Sequence, residues 1–120
     1  MLYSELTGTI LEAAFEVSKK LGAGFLESVY ENALQVALIQ KGLNVALQVP
    51  LTVKFRNVVV GNFYADMLVE NKVLIELKAV TRVLNEHKVQ VINYLKATGI
   101  EIGLLINFGN SKVEYFRLHN

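Results

Sequence analysis

Four short stretches carry side chains whose types and spacing could do chemistry. The most unusual is Val73-Leu74-Ile75-Glu76-Leu77-Lys78-Ala79-Val80, where two charges sit among apolar neighbours. Side chains alternate along a strand, so Glu76 and Lys78 share one face. Charges in a buried strand are costly unless paired or bound to a metal. Taken alone, a structural Glu–Lys contact or a strand with one solvated face explains them as well as a functional role does. Asp66 shifts the balance. It lies in the preceding stretch, Phe63-Tyr64-Ala65-Asp66-Met67-Leu68-Val69. With a hairpin loop of Glu70-Asn71-Lys72, Val69 faces Val73 and Asp66 faces Glu76, with β-carbons about 5 Å apart. Two carboxylates so placed repel, which favours a bound cation or a shared proton. They are hard oxygen ligands of the kind Mg²⁺ takes while keeping waters and a substrate phosphate. A two-residue turn at Asn71-Lys72 would instead set Asp66 opposite Leu77 and remove the pairing. An isolated Asp66 would be read as a solvated strand residue.

The third stretch is Gly24-Phe25-Leu26-Glu27-Ser28-Val29-Tyr30. Glu27 and Tyr30 are three apart and so neighbours on a helix surface. A carboxylate in the first helical turn is favoured by the helix dipole, which alone accounts for Glu27. The functional version has Glu27 leaning over a sheet to join Asp66 and Glu76. The fourth stretch is His87-Lys88-Val89-Gln90-Val91-Ile92-Asn93-Tyr94, in which His87, Gln90 and Tyr94 fall on one helix face. Gln and Tyr can donate to phosphate oxygens or orient a water. A half-buried polar stripe with Tyr94 in the core is the ordinary explanation. His87 reads as a supporting or substrate-contacting residue rather than a metal ligand, and His119 as part of a loose terminus.

Elements that could position these residues are legible in the hydrophobic pattern. Residues 5–20 read as a helix with Leu6, Ile10, Ala14, Val17 and Leu21 on one face. A second helix runs from about Phe25 to Lys41, with Leu26, Val29, Ala33 and Ala37 as a stripe and Tyr30, Leu34 and Leu38 beside it. Gly22 with Gly24, and then Gly42, end the two helices. Residues 45–55 and 58–69 are rich in Val, Phe and Tyr and read as strands turning at Arg56-Asn57. Pro50 puts the first of them at an edge or a bulge. Val73–Val80 reads as a strand buried on both faces. A helix from Asn85, its N-cap, to Thr98 follows, closed by Gly99. Strands at Ile100–Phe108 and Val113–Leu118, separated by Gly109-Asn110-Ser111, complete the chain. The order α-α-β-β-β-α-β-β predicts an α/β fold, a mixed β-sheet flanked by helices.

Composition bounds what this fold can do. The 120 residues are 52% hydrophobic and 19% charged, enough for one domain, taken as residues 1–120, with a real core. The absence of cysteine removes disulfides, thiolate metal sites and a cysteine nucleophile. It fits a reducing compartment, and a cytoplasmic location is expected. No signal-peptide pattern opens the chain and no apolar run approaches a bilayer span, so no membrane role is expected. Twelve Lys+Arg against eleven Asp+Glu leave a net charge of +1, far from a strongly basic nucleic-acid glove.

Asp66, a nine-residue gap, then Glu76-Leu77-Lys78 resembles the D-x(n)-(D/E)-x-K signature of the PD-(D/E)xK nuclease superfamily. That superfamily's αβββαβ core matches the elements from the second helix onward. Gln90-Val91-Ile92-Asn93-Tyr94 resembles the Q-x-x-x-Y motif of its RecB-like branch. Gly24 to Tyr30 is similar to the name-giving motif of the GxxExxY proteins. Ala65 stands where the signature has its proline. The resemblance spans residues 5–118 and implies a restriction-endonuclease-like core. It implies metal-dependent hydrolysis of nucleic acid, DNA being favoured, with Mg²⁺ or Mn²⁺ held by Glu27, Asp66 and Glu76. Lys78 would orient the attacking water or stabilise the transition state, and Gln90 and Tyr94 would position the phosphate or the water. Tyr30, Arg82, His87 and Lys88, with Lys96, would contact substrate, although a solvated helix face accounts equally well for the basic residues. The iron–sulfur cluster of some RecB-like nucleases is excluded by the lack of cysteine. So small a domain offers limited surface for a duplex, and a homodimer or a partner protein would enlarge it. Two other classes compete: a catalytically silent nucleic-acid or protein interaction module, such as a helper subunit in defence or repair, and a hydrolase of smaller phosphate esters. The presence of Glu27, Asp66, Glu76 and Lys78 together favours an enzyme.

Overall fold

The structure, a computed structural model, describes residues 1–120. The elements are α1 (Ser4–Leu21), α2 (Glu27–Gln40), β1 (Val45–Phe55), β2 (Val58–Val69), β3 (Val73–Lys78), α3 (Asn85–Thr98), β4 (Ile102–Asn107) and β5 (Glu114–His119). The strands form one sheet in chain order. β3 and β4 run parallel, joined through α3, and every other neighbouring pair is antiparallel. This is the expected mixed sheet, because a parallel pair requires a crossover and α3 supplies it.

Helices cover both faces of the sheet. Ile10, Ala13, Ala14 and Val17 of α1 and Tyr30, Leu34 and Leu38 of α2 pack with Met67, Val69, Ile75, Leu77, Leu104 and Ile106. The buried stripe of α2 is therefore Tyr30–Leu34–Leu38, while Leu26 is exposed. On the opposite face Val91, Tyr94 and Leu95 of α3 pack with Leu51, Ala65, Leu74 and Leu105. β4 is buried along its whole length and β3 as far as Leu77, as their unbroken apolar runs imply. Gly103 allows α3 to lie close to β4: a β-carbon there would stand 2.8 Å from Val91 Cγ1. No helix is long and apolar enough to cross a membrane.

Both predicted hairpin turns form, with Arg56 and Asn57 at φ 51° and 65° and Glu70 and Asn71 both at 54°. Such paired left-handed residues match the twist of the strands they join. Pro50 lies in β1, the edge strand, and a bulge falls nearby at Val53/Lys54. Three expectations are corrected. α2 begins at Glu27, two residues late, so Glu27 occupies the first helical position. Asn85 opens α3 rather than capping it: the cap residue is Leu84, whose N–H donates to His87 Nδ1 at 3.0 Å. His119 is no loose terminus, since it ends β5 paired with Ile102.

The long β1–β2 ribbon switches faces midway. Met67 and Val69 pack beneath α1 and α2, but Ala65 packs beneath α3. Leu47 and Leu51 divide in the same way. Strict alternation would keep each pair on one face. The switch falls at Asp66 and at Gln48, which holds a left-handed φ of 50°.

Candidate active site

Asp66 sits where β2 parts from β3. Backbone pairing between these strands runs Val69↔Val73, Leu68↔Leu74, Met67↔Ile75 and then stops. The next step would pair Asp66 with Glu76, the register a Glu70-Asn71-Lys72 loop requires. Side chains take over there. The Asp66 N–H donates to Glu76 Oε1 at 2.9 Å, and the Leu77 N–H donates to Asp66 Oδ2 at 2.8 Å. Two carboxylates thus clasp each other's strand at the point where the sheet forks.

Their electrostatics are unusual. Glu76 is 5% exposed. Its carboxyl is pushed from the ordinary 4.5 up to about 8, first by burial and then by the charge of Asp66, with Lys78 opposing. The only ion pairs in the molecule are those of Lys41 with Glu12 and Glu16, so neither Asp66 nor Glu76 has a cationic side chain within 4.0 Å. Glu27 is raised as well, by desolvation of its carboxyl, then by Asp66, with Lys78 opposing and Glu31 adding. Glu27 and Glu76 therefore both feel Asp66 and Lys78. No three Asp, Glu or His side chains close on a common point, however. The pair Asp66–Glu76 is assembled, and Glu27 stands within electrostatic reach without completing a three-carboxylate cluster.

α3 brings its polar stripe to the same place. Gln90 Nε2 donates to Tyr94 Oη at 3.1 Å. Tyr94 is nearly buried, and its hydroxyl is held above its ordinary value by burial, then by Glu76, with Asp66 adding and Gln90 opposing. The site so described has two acids at a strand fork, a lysine two residues beyond one of them, and an amide–phenol pair on a crossing helix.

A family model for the PD-(D/E)XK nuclease superfamily matches residues 4–118. The chain belongs to this superfamily. The solved structure of SSO0001 shares the fold at a TM-score of 0.62 and 18% identity. That match covers 98% of this chain and 59% of the other, so this chain spans under two thirds of that protein's length. No curated protein matches the chain.

Within the PD-(D/E)XK frame, the remaining expected residues fall in different places. Tyr30 is corrected: it is 1% exposed, its hydroxyl donates to the Gly22 carbonyl at 2.6 Å and accepts from the Phe25 N–H at 3.2 Å, and its ring stacks on Phe108 at 4.9 Å. It locks the loop before α2 and so sets Glu27, but it cannot meet a substrate. His87 spends Nδ1 on the start of α3. Lys88 lies over Phe116, 3.9 Å from the ring centroid, on the β5 flank of α3. Arg82 is exposed in the β3–α3 loop and makes no ion pair. Lys96 lines a cleft beside Gln90 and Tyr94.

Three positioning residues were not anticipated. Gln48 Nε2 donates to Glu31 Oε1 at 2.9 Å and to Asp66 Oδ1 at 3.4 Å, bridging α2 and the fork. Glu31 lies one helical turn beyond Glu27, a spacing that could have drawn attention to it. Fully buried Asn107 accepts from the Val80 N–H at 3.0 Å and donates to the Val80 carbonyl at 2.8 Å. Its side chain thus extends the β3–β4 ladder past Lys78 and fixes the strand end that carries it.

Proposed function

We propose that the chain is a divalent-metal-dependent nuclease that hydrolyses phosphodiester bonds in nucleic acid, with DNA the favoured class. The observation that carries this reading is the Asp66–Glu76 pair: two adjacent carboxylates, one buried, without a cationic partner, beside Lys78. The donor set suits a hard cation, which commonly takes one or two carboxylates and keeps sites for water and phosphate. Asp66 and Glu76 would hold Mg²⁺ or Mn²⁺, with Glu27 as a third ligand from α2. When bound, such an ion neutralises charge building on the phosphate and acidifies water.

The chain's own groups divide the remaining work. Lys78 orients the attacking water and offsets negative charge in the transition state. Tyr94 and Gln90 hold a phosphate oxygen from the α3 side. Arg82 supplies a further positive charge at the loop that follows the active strand. Gly24–Tyr30 and Gln90–Tyr94 support placement in the GxxExxY family and the RecB-like branch. A cysteine-free chain suits action in the cytoplasm, and a homodimer or partner protein would widen the nucleic-acid footprint.

One observation favours a second reading. Asp66 and Glu76 already satisfy backbone N–H groups across the fork, and no third acid closes on them, which also suits a silent interaction module that keeps the pair as a structural clasp. Incubating the protein with single- and double-stranded DNA and RNA in Mg²⁺ or Mn²⁺ separates the two. A nuclease cleaves at least one substrate and stops on chelation. A module binds without cutting.

A further inference from the structure

We infer that the cleft between the outer half of the β1–β2 ribbon and α3 is a binding site for single-stranded nucleic acid, which feeds the strand to the Asp66–Glu76 fork. β1 and β2 run 11 and 12 residues while β3 has only six, so the ribbon projects beyond the sheet. Between it and α3 lies a cleft of about 1140 Å³. Gln90 and Tyr94 line it, so the cleft shares with the candidate active site the pair whose phenol feels the charge of Glu76.

Its walls combine two chemistries. Val53, Val60 and Phe63 from the ribbon and Val89 from α3 are apolar and solvent-exposed. The Phe63 ring leans on Tyr94, with centroids 5.8 Å apart, yet Phe63 remains 43% exposed. Gly61 makes room for it, since a β-carbon there would stand 2.8 Å from the ring. Lys54 and Lys96 stand on the two walls, against the single acid Glu86. No Asp or Glu occurs anywhere from Asn32 to Ala65, so the ribbon carries only positive side-chain charge.

An aromatic ring with aliphatic surface beside a few lysines is what an unpaired strand needs: its bases stack and its phosphates find cations. A duplex hides its base faces and presents phosphates, which apolar walls cannot serve. Tight duplex binding also draws on many phosphate contacts, and two lysines supply few. The near-neutral net charge fits a site that works through stacking more than through counterion release.

The inference depends on the nuclease reading for its purpose, and its test is independent of cleavage. Fluorescence anisotropy with a labelled thymidine oligonucleotide, in chelator so that nothing is cut, is compared with a duplex of equal length. The single strand should bind at least about tenfold more tightly. Lys54→Ala and Lys96→Ala should each weaken binding and each lower the slope of log affinity on log salt by roughly 0.7. Phe63→Leu, which keeps the apolar bulk, should weaken it roughly tenfold, and Phe63→Trp should restore it, as loss and return of one stacking platform predict. Lys20→Ala, exposed on α1 across the sheet from α3, should leave binding unchanged. Asp66→Asn should abolish cleavage while binding persists. If no variant or wild type cuts anything but this binding pattern holds, the nuclease reading fails and the cleft stands. Duplex binding as tight as single-strand binding, or a folded Lys54→Ala/Lys96→Ala double variant binding like wild type, would overturn the inference.

Discussion

Glu76 is buried beside the charge of Asp66, and both effects oppose ionisation of its carboxyl. With its carboxyl raised to about 8, Glu76 binds a proton in the folded state that the unfolded chain has released above about 4.5. The folded state therefore holds more protons across that window, and stability falls as pH rises through it. Thermal melts without divalent cation should show Tm dropping from pH about 4.5 to about 8 and then levelling. Glu76→Gln should flatten that dependence and melt above wild type at the alkaline end. Added Mn²⁺ should raise the wild-type Tm most where Glu76 would otherwise be charged, by mass action on the folded state. A pH-independent difference between wild type and Glu76→Gln would show that the carboxyl is not perturbed. Much of this pair was legible in the sequence, because the turn at Glu70-Asn71-Lys72 fixes the register and the register sets Asp66 against Glu76. What was not legible is how they meet. Strict alternation predicts side chains standing off one face, whereas Asp66 lies at a twist and turns its carboxylate into the strand plane.

The elements explain why the site has a fixed geometry. β3 ends in Lys78, and the chain beyond it is held by Asn107, whose side chain serves both backbone groups of Val80 and accepts from the Gly109 N–H at 3.0 Å. Asn107→Ala leaves at least two of these part-buried groups unpaired. Each costs about 1–3 kcal/mol, so urea unfolding should show a loss of more than about 2 kcal/mol. A loss below about 0.5 kcal/mol would mean that water replaces the amide. Gly109 must lack a side chain, because a β-carbon would lie 1.9 Å from the Val80 carbonyl oxygen. Gly103→Val should push α3 away from β4 through Val91, destabilising the fold and displacing Tyr94 from the fork. Heating and cleavage assays on that variant should fall together. The element order and nearly every boundary followed from hydrophobic period and turn chemistry. Asn107 and Gln48 did not, because their roles depend on partners distant in sequence. Local pattern also left the buried face of α2 open: with apolar residues on two adjacent stripes, only packing on the sheet decides that Tyr30, Leu34 and Leu38 are the fully covered ones.

At the scale of the whole molecule, a net charge of +1 conceals an uneven distribution. Acids gather on α1, α2 and the fork, while the projecting ribbon carries Lys54 and Arg56 alone among charged residues from Val45 to Ala65. The principal extents of 47 × 30 × 24 Å describe a body with an arm rather than a sphere. The body rests on the two-sided burial of β3 and β4. Leu104→Ala, at a fully buried position, should cost about 2–5 kcal/mol in urea unfolding, and a smaller loss would point to a core that collapses around the gap. Superfamily membership and the fold shared with SSO0001 settle the frame, and chemistry remains a property of the site within it. The most direct test is a cleavage assay over single- and double-stranded DNA and RNA with Mg²⁺ or Mn²⁺, comparing wild type with Asp66→Asn and Lys78→Met. The account predicts cutting by wild type, its loss on chelation, and a drop of roughly 10²–10³-fold or more in each variant, the scale on which one lost electrostatic contact to a transition state acts. Wild type and both variants behaving alike, whether all cut or none does, would contradict it.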